Sequence, residues 1–149
     1  MKKMAGFFFV FSFIAVTSFA QLRTIPKDAE TTLQEKYSGL EKVEWVDNLI
    51  NFTAIFSYEG LLHKAKFSNK GKWLQTEKAW EAGKLPAEVL SGYEKSKFGD
   101  QEADEWAVVE SPKENAALLY RATVSKSALE KKYLYFNEEG RLVKESITL

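Results

Sequence analysis

The sequence predicts an α+β fold of two tandem helix-plus-four-strand units, two layers deep, with helices packed on one face of an antiparallel sheet. Three observations predict it. The same landmarks occur twice: Ile25-Pro26 and Leu85-Pro86 each open a helical stretch, and Phe67-Ser68-Asn69-Lys70-Gly71 and Phe136-Asn137-Glu138-Glu139-Gly140 each close a strand. After each helix the apolar period changes from about four to two, the signature of passing from helix to strand. Between those landmarks an aromatic precedes a tryptophan by eight positions in both halves, Tyr37 before Trp45 and Phe98 before Trp106.

Residues 1–20 read as a cleavable export signal. Lys2 and Lys3 form a basic start, Phe7 to Val16 is an apolar run, and small Ser18 and Ala20 place cleavage between Ala20 and Gln21. The apolar core is shorter than the roughly 20 residues of a stable bilayer-spanning helix, which disfavours the alternative of an uncleaved anchor. No cysteine occurs anywhere, so a lipid-bearing cysteine does not stand at the cleavage point. The expectation is a periplasmic or secreted protein, not a lipoprotein, with no stable membrane insertion after cleavage. Two lysines leave with the signal, so 19 basic side chains (21 − 2) face 21 acidic ones. A charge near −2 offers no electrostatic reason to bind nucleic acid. Without disulfides, stability must come from burial, which favours fusing two small units.

The first unit, residues 21–80, starts its helix at Pro26, where a missing N–H has no partner to lose. Ala29, Leu33 and Tyr37 form one apolar stripe, and Ser38-Gly39 ends it. Val43, Trp45 and Asp47 then alternate with Glu44 and Val46. Phe52, Ala54, Phe56 and Tyr58 alternate with Thr53, Ile55 and Ser57. Glu59-Gly60 turns the chain into a strand that sets His63, Ala65 and Phe67 against Lys64 and Lys66. A turn at Asn69-Lys70-Gly71 leads into a fourth strand over 72–76.

The second unit, residues 81–149, repeats the scheme. Pro86 starts a helix carrying Val89, Leu90, Tyr93 and the flank Lys97-Phe98, and Gly99 stops it. Strands are expected over 103–110, 115–125, 129–136 and 141–147. The join Glu81-Ala82-Gly83-Lys84 is too short for free motion between halves, so one body with a continuous or nearly continuous sheet follows. Helices would cover one sheet face and leave the other bare.

The Ile/Leu-Pro helix starts, the aromatic-Gly turns into a Val-x-Trp strand, the Phe/Ala alternating strand and the Phe-x-x-x-Gly turns together resemble the bacterial PepSY-like proteins. That group is also described as resembling the β-lactamase-inhibitor fold (BLIP-like). The resemblance covers the mature chain in both repeats, and its motifs are structural rather than catalytic. It implies a two-layer fold, export, and a role in binding or restraining other proteins, peptidases in particular. The repeats differ: the segment from Lys113 to Lys131 is longer, and Leu142 stands where the first has Trp73.

Chemistry is narrowed by what is missing. With no cysteine and a single histidine, His63, thiol catalysis and Cys- or His-rich metal sites are excluded. No Gly-x-Ser-x-Gly elbow, phosphate loop or dinucleotide fingerprint occurs. His63 shares a strand face with Ala65 and Phe67, which fits a hydrogen-bonded structural residue rather than a general base. No catalytic residue, cofactor or metal is assigned.

The leading expectation is an exported non-catalytic binding module that holds a protein or peptide of the cell envelope on the bare sheet face. Its candidate partner-binding residues are Tyr133, Tyr135, Arg121 and Leu119, because Tyr and Arg combine area with a polar handle. The same tyrosines could instead serve cross-strand packing. Trp45, Trp73, Trp80 and Trp106 read as core or edge packing. The alternative function is an envelope sensor of a small ligand or divalent metal at the acidic loop Asp100, Glu102, Asp104 and Glu105, although that loop lacks the Gly-containing turn of a calcium site.

Overall fold

The computed structural model describes residues 23–112, 117–125, 127 and 130–148. Helix α1 (Lys27–Lys36) precedes four strands, β1 (Val43–Asp47), β2 (Asn51–Tyr58), β3 (Leu61–Ser68) and β4 (Trp73–Trp80). A 3-10 turn at Ala82–Lys84 leads to α2 (Ala87–Glu94), followed by β5 (Glu105–Glu110), β6 (Leu119–Ser125), β7 (Lys131–Phe136) and β8 (Leu142–Thr148). All eight strands form one antiparallel sheet in chain order. The segment expected as an export signal, residues 1–20, lies outside the described residues, as do Gln21 and Leu22.

Each helix begins just after its proline. Pro26 and Pro86 are extended, and their carbonyls accept the first helical N–H bonds, from Ala29 at 2.9 Å and Val89 at 3.1 Å. Each helix buries one narrow stripe: Ala29 and Leu33 in α1, Val89 and Tyr93 in α2. The second helix is shorter than its sequence suggests and ends at Glu94, so Phe98 is buried from a turn rather than from the helix. Ser96 explains this, because its Oγ donates to the Tyr93 carbonyl at 2.7 Å and accepts from the Phe98 N–H at 3.2 Å. Such bonds offer the backbone an alternative to the helical ladder.

Two hydrophobic clusters lie between helices and sheet. In one, Ala29 and Leu33 pack on Ala54, Phe56, Ala65 and Phe67, flanked by Tyr37, Trp45 and Trp73. Ala54 pairs with Ala65 across β2 and β3, and these small side chains let α1 settle close to the sheet. In the other, Val89 and Tyr93 pack on Trp106, Tyr120, Ala122, Leu134 and Phe136. Matching ring contacts occur in both, Trp45 with Phe67 at 5.6 Å and Trp106 with Phe136 at 6.4 Å.

The recurring Phe-x-x-x-Gly turn is where a hairpin meets a helix. Both hairpins carry a register shift at the phenylalanine, between Lys66 and Phe67 and between Tyr135 and Phe136, and so pair Phe67 with Trp73 and Phe136 with Leu142. Gly71 and Gly140 are buried in the left-handed region, at φ +81 and +74. A Cβ on Gly71 would lie 2.9 Å from the Ala29 nitrogen, and one on Gly140 would overlap the Glu88 carbonyl oxygen. Gly92 of α2 has the converse constraint, since its Cβ would overlap the Gly140 carbonyl.

Strand ends depart from the sequence expectation at β4, which runs on to Trp80 rather than stopping at Thr76. Its last five residues pair with β5, from Thr76 opposite Glu110 to Trp80 opposite Trp106. Long-range pairing has extended a strand whose local alternation is weak. β5 begins later than expected, at Glu105, and β6 at Leu119; residues 115 and 116, where the second expected strand starts, lie outside the described residues.

The glycine contacts predict a graded response. Gly140→Ala should cost about 2–4 kcal/mol, combining left-handed strain with overlap at Glu88. Gly60→Ala, at φ +77 but with open space around it, should cost only about 1 kcal/mol. Urea midpoints of the two variants measure the difference.

Candidate functional site

The sheet face away from the helices is set by the register. One row crosses Ile55, Lys64, Glu77, Val109 and Leu119, and another crosses Ala79, Ala107, Arg121, Tyr135 and Lys144. Thr53, Lys66 and Gln75 form a third, and Thr123 pairs with Tyr133. The four candidate binding residues therefore do share a face, as the alternation implies.

That face is not bare. Ala107, Val109, Arg121, Thr123 and Tyr135 are all nine-tenths or more buried on it. Curvature is the reason. A hollow of about 420 Å³ is lined jointly by Asn48, Ile50 and Asn51 at the β1–β2 end and by Arg121 and Tyr133 on β6 and β7. In a flat sheet β2 and β7 would stand about 24 Å apart, five strand spacings. Sharing one hollow requires the sheet to curl toward this face, so side chains converge and bury one another.

Arg121 lies at the centre of the curl. Its Nη1 is 2.8 Å from Glu77 Oε2 and its Nη2 is 3.9 Å from a Glu105 oxygen. The guanidinium sits 4.6 Å from the centre of the Tyr133 ring. Glu77 is two strands away, and Arg121 reaches it past Ala107, whose small side chain leaves the path open. Among the described residues, Arg121 Nε and Thr123 Oγ1 are buried without a hydrogen-bond partner.

The candidate residues separate accordingly. Tyr133 is half-buried and lines the hollow with Arg121. Tyr135 is buried under Lys144, whose Nζ lies 5.0 Å from the ring centre, and burial followed by the charge of Glu77 raises its hydroxyl pKa. Leu119 is half-buried opposite Val109. Tyr133 thus lies in the lining of the hollow, while Tyr135 and Leu119 sit on the same face beside it. Arg121 is an internal anchor, not a protruding one.

A second hollow of about 290 Å³ adjoins the first across Arg121, Glu77 and Lys64. Leu62, Ala79 and Ala107 give it apolar side chains from the open face, and Asp104 and Glu105 give it an acidic side. Sequence reasoning missed Glu77, Gln75 and Ala107 as site residues. Alternation from Gln75 would have placed Glu77 on the same face had β4 been expected to continue past Thr76, whereas Gln75 and Ala107 already lay in expected strands.

The rim by β1 and β2 is tied by side-chain hydrogen bonds. Leu49 takes φ +67, and Leu49 and Ile50 are both 79% exposed. Asp47 accepts from the Leu49 N–H and from Arg23 Nε, both at 2.8 Å. The Arg23 hydrogen bond holds the Asp47 pKa down at about 2. Asn48 Nδ2 donates to Asn51 Oδ1 and Thr53 Oγ1, each at 3.0 Å.

Two other sequence candidates are tied into structure. In the acidic loop, the Asp104 N–H donates to the Thr123 carbonyl at 2.8 Å, and its carboxylate accepts from Ser125 Oγ at 2.6 Å. No group of three or more metal-ligating side chains converges among the described residues. His63 is buried on the helix side, stacked on Phe56 at 5.3 Å, with Nδ1 2.9 Å from the Leu61 carbonyl. Since that oxygen can only accept, Nδ1 carries the proton in the neutral ring. Burial, the largest influence, lowers the His63 pKa, and nearby Lys78 lowers it further.

Similarity to known proteins is structural. The fold is similar to that of a BLIP-like protein from Bacteroides fragilis (TM-score 0.70, 24% identity, covering 84% of this chain and 88% of that one). It is also similar to a DUF2874 family protein from Bacteroides uniformis (0.71, 18%, 83% and 90%) and to a protein from Bacteroides eggerthii provisionally assigned to the periplasm (0.69, 18%, 84% and 90%). No protein-family model and no curated protein matches the sequence. The chain thus has a BLIP-like α+β fold with two helices and an eight-strand antiparallel sheet, and no described helix is long and apolar enough to cross a membrane.

Two predictions follow from the buried groups. Glu77→Gln should cost about 1–3 kcal/mol, because the Arg121 charge loses its nearest counter-charge. Replacing both, Glu77→Met with Arg121→Met, should cost less than the sum of the single replacements in a double-mutant cycle. For His63, a lowered folded-state pKa means the unfolded chain binds the proton first. The contribution is complete above the unfolded value near 6.5 and is lost as pH falls below it toward the lower folded value. Thermal melts from pH 7.5 to 5 should show a decline that His63→Gln flattens.

Proposed function

We propose that this protein is an exported, non-catalytic binding module that holds a protein or peptide on the concave face of its sheet. The observation that carries the reading is the pair of adjoining hollows divided by the Arg121–Glu77 ion pair, with half-buried Tyr133 and the exposed Leu49–Ile50 rim beside them. A partly buried Arg next to an aromatic, ringed by residues that exclude water, is the arrangement that anchors partners at interfaces. The fold shared with a protein named BLIP-like supports the same role. The lone histidine is engaged with the backbone and packed among rings, which argues against hydrolysis.

In this reading residues 1–20 direct export, which agrees with the periplasmic assignment of one structural neighbour. Residues 21–80 and 81–149 are two copies of one helix-plus-four-strand unit of PepSY-like type. The matched bulges at Phe67 and Phe136 and the matched glycines Gly71 and Gly140 support the duplication.

Photo-crosslinking tests the face. Benzoylphenylalanine replacing Tyr133 should give discrete adducts with envelope proteins, whereas the same residue replacing exposed Glu30 on α1 should give none. Adducts only from position 30, or equally from both, would place the binding surface elsewhere.

A further inference from the structure

The two hollows differ in charge, and the difference specifies part of the partner. The larger one collects three cations, Lys64, Lys66 and Arg121, against a single carboxylate, Glu77. The smaller one sets Lys64 and Arg121 against Glu77, Asp104 and Glu105. Glu77 is spent on Arg121 at 2.8 Å. Lys64 faces Glu77 and Lys66 faces Gln75 in the register, yet neither lysine forms an ion pair among the described residues. Arg121 lines both hollows while being 9% exposed, and its Nε is buried without a hydrogen-bond partner.

Such a group is costly to leave unpaired in a region from which water is partly excluded. The lining carries three cations against one carboxylate, and that carboxylate is already engaged by Arg121 and by Gln75 Nε2 at 2.9 Å. We infer that the larger hollow is a carboxylate-reading subsite, and that the segment bound there is an acidic peptide stretch of a partner protein. Lys64 and Lys66 attract its carboxylates, and Arg121, held by Glu77 and the Tyr133 ring, adds a fixed positive charge to the lining of the same hollow. The acidic side of the smaller hollow repels the same group, so the charge step sets which way the segment lies. This inference rests on the binding-module reading and adds the chemistry of the partner to it.

The test uses three capped heptapeptides with Gly-Gly flanks around Glu-Glu-Glu, Gln-Gln-Gln or Lys-Lys-Lys, titrated into the isotope-labelled protein. Triglutamate should shift the Arg121 Nε resonance and the Lys66, Gln75 and Tyr133 amides saturably. Lys64→Gln with Lys66→Gln, both outside the core, should weaken that binding about tenfold. Lys27→Gln with Lys95→Gln should leave it unchanged, and melting temperatures check that both variants fold. If triglutamine binds the same residues as tightly, the face binds peptide without reading charge; the inference fails while the binding-module reading stands. Preference for trilysine, no response to triglutamate, or a response confined to the helix side would equally overturn the inference, with crosslinking at position 133 judging the binding-module reading separately.

Discussion

Everything distinctive about this molecule depends on the ladder between β4 and β5. Five residue pairs, from Thr76 opposite Glu110 to Trp80 opposite Trp106, turn eight strands into one sheet. A four-stranded sheet under one short helix would offer a small core and two open edges. Joining two such sheets removes one edge of each, leaving β1 and β8 at the ends, and sets the two hydrophobic clusters on one sheet. It also creates the site, because Glu77 belongs to β4 and Arg121 to β6. Lys36 reinforces the seam on the other side, 3.4 Å from Glu110 and 3.8 Å from the centre of the Trp73 ring.

The curl that follows carries a polar cost. Concavity forces Arg121, Thr123 and Tyr135 out of water on a face where alternation would ordinarily leave them wet. The Glu77 pair and the Tyr133 ring offset part of that cost, while Arg121 Nε and Thr123 Oγ1 stay without partners. A buried ion pair is a weak source of stability compared with well-packed hydrophobic residues. Its presence here is better understood as a device for recognition: a guanidinium held still gives up little freedom when it meets a ligand.

The elements were legible because their causes are local. Pro26 and Pro86 start helices through their own geometry, Gly71 and Gly140 turn hairpins through theirs, and Trp45 and Trp106 sit inward because strands alternate. The misplaced ends have equally physical causes. Ser96 peels the chain from α2 with side-chain bonds that an apolar stripe does not reveal. β4 is prolonged by a partner strand that starts 25 residues after its own end (105 − 80), a contact outside any local window. The shared face of Arg121, Tyr133, Tyr135 and Leu119 was readable from alternation. Their unequal exposure was not, since it depends on how the four strands between β2 and β7 bend.

By itself, then, the sequence determined the order of elements, the inward faces, the turn glycines and the absence of thiol or histidine-cluster chemistry. Each of these is set by a residue's own backbone preference or by its spacing from near neighbours. Tertiary structure alone decided that the uncovered face is concave, that Arg121 is an internal anchor paired with Glu77, and that two hollows of opposite charge meet across that pair. The reason is that curvature accumulates strand by strand. Residues from β2 and β7 come to share one hollow through the summed twist of the whole sheet, which no short stretch of sequence contains.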